Sequence, residues 1–241
     1  MPLVAAAVCP HPPLIVPEIA GAAASELEDL RRACDAAVEQ LLDAEPARVM
    51  IIGPGSVSRV YGSGSQDTFA RFGLPVPVRI GAGGSSTGPQ RLPLSLLVGG
   101  WLLNRVGAPD VVARSVPDAW SAAECRALGR EIGRLPEPVA LLVMGDGTAC
   151  RGEQSPGYDD PRAPGYDEEV AAALAEVDTV ALLGLDPDLS RQLRVAGRAA
   201  WQVLAGAAEA SGVDWRGDLA YHAAPYGVAY LVASWHRLDE R

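Results

Sequence analysis

The sequence contains no lysine; all 20 of its Lys and Arg residues are arginine. Without an amine side chain the chain cannot form a Schiff base or build a Walker-type phosphate loop. Asparagine is almost as scarce, with Asn104 alone, which points to a coding bias rather than a functional demand. The four cysteines, Cys9, Cys34, Cys125 and Cys150, form no CxxC pair, so zinc-finger and dithiol redox motifs are excluded. Cys34 and Cys125 fall in helical patterns and are expected to be small buried hydrophobes. Cys9 and Cys150 lie near strand ends; free thiols are the expectation, with a meeting at one site as the alternative.

Long apolar runs are missing too. The longest, such as 139–144, fall far short of the roughly 20 residues that span a bilayer. No basic region precedes the first apolar run, and His11 with its prolines interrupts any signal-like core. A cytoplasmic protein without a membrane partner is the expectation. The formal charge of −10 argues against attraction to nucleic acid or anionic lipid.

At 241 residues the chain has the length of one α/β domain, and a single domain over 1–241 is expected. Apolar strand-like runs at 3–9, 48–53, 76–80, 110–114, 138–145, 178–184, 217–222 and 227–235 alternate with helical patterns. The helices fall at 21–44, 92–107, 120–134, 166–176, 187–194 and 196–211. In the first, Leu27, Leu30, Ala33, Ala37, Leu41 and Ala44 keep three-to-four spacing, with the charges mostly opposite, and Pro46 closes it. Residues 138–144 show no polar alternation, as expected of a strand buried on both faces. Together these predict a three-layer αβα domain with a central mixed, mostly parallel sheet and helices on both faces. Residues 53–75, 81–91 and 147–165 read as long loops, which tend to be functional or mobile.

The chemistry-bearing residues are few. After the apolar run 3–8 comes Cys9-Pro10-His11-Pro12-Pro13. Proline fixes its own φ and pushes the preceding residue toward extended geometry, so His11 is held stiffly at a strand tip, where α/β sheets keep their sites. Gly145-Asp146-Gly147 ends the most apolar strand, and Asp146 there could bind a metal, orient a histidine or cap a helix. The flanking glycines suggest a sharp backbone turn. His222 ends a later extended run, where a hydrogen-bonded core or rim histidine is favoured over a ligand. His236 precedes a charged tail and is expected in solvent. The glycine-rich run 81–88 lacks both GxGxxG spacing and a GK[ST] ending, so a plain loop outweighs a phosphate cradle. Gly53-Pro54-Gly55-Ser56 could form an oxyanion nest, but no GxSxG elbow supports acyl transfer.

In this order the blocks Cys9-Pro-His-Pro-Pro-Leu-Ile-Val-Pro-Glu-Ile19, Val49-Met-Ile-Ile-Gly-Pro-Gly55, Leu142-Val-Met-Gly-Asp-Gly-Thr148, Gly157-Tyr to Asp167 and Ala224-Pro-Tyr-Gly-Val-Ala-Tyr230 resemble the class III extradiol ring-cleavage dioxygenase family. That family includes the protocatechuate 4,5-dioxygenase catalytic subunit and the Memo-like proteins. The resemblance implies a non-haem Fe(II) site at the strand ends. Two histidines and a carboxylate there would leave open positions for a catecholate and O₂, and a further histidine would serve as acid and base. Carried over, only the first ligand is present, as His11. The second would stand in a Ser-Pro-His tripeptide that here reads Gly53-Pro54-Gly55. The acid/base histidine would stand in a Gly-Asp-x-Ser-His run that here ends in Ala149. The surviving pair for a metal is His11 with His222, with Asp146 or a cysteine completing a set for Fe(II) or Zn(II), or no metal at all. The expectation is a protein of this family without ordinary dioxygenase activity. The alternatives are an active metal-dependent oxidoreductase with a rearranged site, or a non-catalytic subunit that binds a small aromatic molecule, a partner or a second copy.

Overall fold

The computed structural model describes residues 3–81, 91–108 and 110–238; most of the glycine-rich run 81–88 and the end of the charged tail lie outside them. The strands are β1 (Leu3–Cys9), β2 (Arg48–Gly55), β3 (Arg59–Tyr61), β4 (Gln66–Thr68), β5 (Pro77–Arg79), β6 (Val111–Pro117), β7 (Val139–Met144), β8 (Trp215–Ala223) and β9 (Tyr230–Arg237). The helices are α1 (Pro17–Ala20), α2 (Glu28–Asp43), α3 (Leu94–Val106), α4 (Ala122–Ile132), α5 (Ala163–Glu176), α6 (Thr179–Gly184), α7 (Pro187–Gln192) and α8 (Arg198–Ser211).

Seven strands form one sheet in the order β3-β6-β2-β7-β1-β9-β8. The four inner strands β6, β2, β7 and β1 run parallel, and β3, β9 and β8 add antiparallel margins. This is the expected three-layer αβα architecture. Successive side chains of a strand point to opposite faces, and β7 shows the consequence. Val139, Leu141 and Val143 pack with α4, α5 and α8, while Ala140, Leu142 and Met144 pack with α2 and α3. All six are buried, so the missing polar alternation reports two helical layers rather than one.

Three sequence expectations about the elements are corrected. Residues 178–184 are not a strand but helix α6, because the Asp178 carboxylate accepts the Ala181 N–H at 2.9 Å and caps the first turn. A short apolar run cannot separate strand from helix by periodicity, so the cap decides. The segment 76–80 supplies only β5, which pairs with β4 outside the main sheet. The first helical pattern divides, with a 3₁₀ stretch over Gly21–Leu27 before α2. His236, expected in solvent, is half-buried in β9 and stands opposite Ala5 and Arg216.

Candidate functional site

The parallel strands β1, β2, β6 and β7 all deliver their carboxyl ends to one edge of the sheet, where α/β folds place ligands. An open cleft of about 580 Å³ lies there. His11 follows β1, Gly55 and Ser56 close β2, and Asp118 follows β6; Ser95 from α3 and Ala196 before α8 complete the wall.

His11 is buried, at 7% exposure. Its backbone N–H donates to Asp146 Oδ1 at 2.7 Å, and its Nδ1 lies 3.3 Å from the same oxygen. That second approach lacks the alignment of a hydrogen bond, so Nδ1 remains a buried nitrogen without a partner. Of the roles open to Asp146, the geometry selects orientation of the histidine. The Asp146 carbonyl accepts the N–H groups of Ala196 and Gly197 at 3.1 and 2.9 Å, which ties the strand tip to the start of α8.

The glycines beside Asp146 serve close packing, not a left-handed turn. Neither Gly145 nor Gly147 has a positive φ. A β-carbon at Gly145 would lie 2.5 Å from Gly197 Cα, and one at Gly147 would lie 2.6 Å from Asp167 Oδ1. The C-terminal block docks here as well: Gly147 and Ala229 are bridged by an N–H to carbonyl bond of 2.8 Å, and a second 2.8 Å bond joins Ala229 to Thr148. Tyr230 is buried beside this junction, and burial, followed by the Asp146 charge, pushes its hydroxyl well up.

Gly55 occupies the position at which the resemblance calls for the second histidine ligand. A β-carbon there would meet Ser115 Cβ at 2.7 Å and Pro93 Cγ at 3.2 Å. Ser115 is fixed in turn, its hydroxyl donating to the Val57 carbonyl at 2.7 Å. The Ser95 hydroxyl donates to the Pro54 carbonyl at 2.7 Å, and Pro54 brings no N–H to an oxyanion nest. Ala149 has no donor side chain and spends its backbone N–H on the Leu193 carbonyl at 3.0 Å.

His222 is exposed at the end of β8, the margin of the sheet, with β9 between it and β1. Among the described residues no three His, Cys, Asp or Glu side chains gather to hold a metal ion. His11 and Asp146 are therefore together, and His222 does not complete a set with them. Nor do Cys9 and Cys150 meet: Cys9 packs on the α2 and α3 face and Cys150 on the opposite one. Cys9 instead lies against Cys34, whose thiol is pushed up by burial first and by Cys9 second. All four cysteines are free and buried. A mononuclear iron centre of the expected kind does not fit these residues, since one ligand position is closed by packing and no three-donor set exists among those described.

Two cleft residues escape the sequence reading. Asp118 lies just past β6, which runs three residues beyond its expected end; burial raises its carboxyl, with the Arg198 and His11 charges pulling the other way. Ser95 stands in the first turn of α3. A strand-end carboxylate was in principle findable from Pro117-Asp118, whereas Ser95 carries no local signal.

No family model matches the chain, and no curated protein matches it. Among solved structures it is similar to the crystal structure of the uncharacterized protein JW3007 from Escherichia coli K12, with a TM-score of 0.59 at 16% identity, over 97% of this chain and 99% of that one. At that identity the likeness shows a shared fold. No helix among the described residues is long and apolar enough to cross a membrane.

Proposed function

We propose that this protein is a class III extradiol dioxygenase-like protein that keeps the strand-end cleft and binds a small aromatic molecule there without cleaving it. The observation that carries this reading is the closure of the Gly55 position by Ser115 and Pro93. A histidine lost by simple substitution would leave room behind; here the neighbours fill the space. Losing an acid/base group costs about 10²–10⁴ in rate, and Ala149 stands where that group is expected. The cleft volume of about 580 Å³ lies within the range of small-molecule sites. His11, fixed by Asp146, supplies an oriented polar group, and Ser56 and Asp118 supply others.

The test combines elemental analysis, oxygen uptake and ligand-induced stabilisation, on wild type and on His11→Ala purified without chelator or affinity tag. The expected result is no stoichiometric iron or zinc, no oxygen uptake on a catechol panel with added Fe(II), and a rise in Tm with at least one catechol that is lost in His11→Ala. Stoichiometric metal that disappears in His11→Ala, or uptake of oxygen on any catechol, would overturn it in favour of a working metal-dependent oxidoreductase. No stabilisation by any catechol would remove the ligand-binding half of the reading.

A further inference from the structure

Beyond the cleft, and independent of its reading, a second hollow of about 630 Å³ opens between α7 and the segment after β6. It shares Asp118, Ala119 and Ala196 with the His11 cleft, so the two spaces are neighbours across one wall. Arg191, Arg194 and Arg198 all line it, and the two carboxylates on its walls are Asp118 and Asp188. In a chain of net charge −10, three arginines around one small space are a local reversal of sign.

Arg198 is the most telling of the three. It is buried, at 3% exposure; the Asp118 charge acts on it from the same wall, but no carboxylate forms an ion pair with it among the described residues. Its guanidinium is held by neutral oxygens: Nη1 donates to Gln202 Oε1 at 2.7 Å, and Nη2 to the carbonyls of Trp120, at 2.9 Å, and Asp118. It is also the first residue of α8, at the positive end of the helix dipole, where a cation is disfavoured. A buried charge normally has a charged partner. Arg194 sits in the left-handed region with φ of 55°, in the turn that closes α7 through the Val195 N–H to Ser190 carbonyl bond of 2.8 Å. Its side chain donates to the Pro156 carbonyl, at 3.0 Å, and forms no ion pair among the described residues. Arg191 pairs with Asp188 at 2.7 Å, an exposed contact within one helical turn that competes weakly with a ligand.

We infer that this hollow is a binding site for a small molecule bearing an oxyanion, phosphate or carboxylate, which Arg191 and Arg194 clamp and whose charge offsets that of Arg198. The planar guanidinium fork matches both oxyanions in bidentate fashion. Pro187, Val195, Ala119 and Ala196 on the same walls leave apolar surface for the rest of such a molecule.

The test is calorimetric titration of the full chain with inorganic phosphate and, separately, with benzoate, at matched ionic strength so that general screening cancels. Binding of at least one probe is expected. Arg191→Gln and Arg194→Gln, both at exposed positions, should each weaken it about tenfold, the loss of one charge-assisted hydrogen bond. Arg126→Gln, which removes an arginine paired with Glu209 at 2.8 Å on the α4–α8 pair, should leave it unchanged. Preference for phosphate assigns a phosphorylated ligand, and preference for benzoate a carboxylated one with an apolar body. No binding of either probe overturns the inference, as does binding undiminished in the Arg191→Gln/Arg194→Gln double variant or weakened equally by Arg126→Gln.

Discussion

Gly55 on β2 lies so close to Ser115 on β6, the register partner of Gly53, that a β-carbon on the glycine would stand 2.7 Å from the β-carbon of the serine. No side chain fits at 55 unless Ser115 or Pro93 moves. Overpacking of this kind costs about 1–3 kcal/mol, so Gly55→Ala should lower stability by that amount in chemical denaturation. Ser115→Gly should cost stability on its own, through the lost hydroxyl bond to Val57. The double variant should be more stable than the sum of the two predicts, by about 0.5–3 kcal/mol. Gly55→His should bind no more iron or zinc than wild type by elemental analysis; a stoichiometric metal in that variant would show that the site had merely lost a ligand.

Asp146 fixes His11 chiefly through the histidine's own backbone, by the 2.7 Å bond to its N–H. Asp146→Ala leaves that N–H without an acceptor in a largely buried place, at a cost of about 1–3 kcal/mol. Asp146→Asn keeps an oxygen in the same position and should cost less. Equal losses in the two variants, measured by denaturant midpoint at constant slope, would mean that this bond contributes nothing to holding the strand tip.

The layered fold was legible because its signals are local and redundant: apolar runs of strand length alternate with three-to-four spacing, and β7 lacks a polar face. The place of His11 was legible for the same reason, since prolines and a strand end are both visible in the chain. Asp146 was readable as a strand-tip carboxylate, but its task was not, because the hydrogen bond to His11 joins residues 135 positions apart. The closure at Gly55 is equally non-local; the sequence shows a glycine, and only the packing of β6 and α3 shows that nothing larger fits. Asp178 explains the one strand that became a helix. Its capping role was available in the sequence but outweighed by the apolar run that follows.

Asp167 is the buried anchor of the loop beside the site. It is wholly inaccessible and accepts the Thr148 N–H at 2.8 Å, the Thr148 hydroxyl at 2.7 Å and Arg151 Nη1 at 3.0 Å. Burial raises its carboxyl, and the Thr148 bonds, followed by Arg151, pull it back down. Asp167→Asn turns an amide toward two donors and strands the Arg151 charge. The expected loss is about 2–3 kcal/mol, with earlier proteolysis in the 147–165 loop than elsewhere. A loss below about 0.5 kcal/mol, the scale of an ordinary surface change, would show that the loop is held by its backbone bonds alone.

Stability should fall on the alkaline side, and Tyr166 supplies a traceable part of that fall. Its buried hydroxyl shares a 2.7 Å hydrogen bond with Ser190 Oγ, and burial pushes its pKa from 10.0 to about 12. A folded pKa above the unfolded one gives a contribution fully present below pH 10 and lost as pH climbs toward about 12, because the unfolded chain ionises first. The slope for one group is at most about 1.4 kcal/mol per pH unit. Tyr166→Phe forgoes the hydrogen bond, at about 1 kcal/mol, while Ser190 keeps its own 2.6 Å bond to the Asp186 carbonyl. The variant should therefore be the less stable protein near neutral pH and lose less on the way up, so that the two curves converge. Cys125, raised by burial to about 11, and the other buried tyrosines act in both proteins and cancel in the comparison. Urea denaturation of both proteins at about pH 8 and about pH 11 measures the difference; a gap between them that stays constant with pH would mean that the Tyr166 hydroxyl ionises as freely in the folded chain as in the unfolded one.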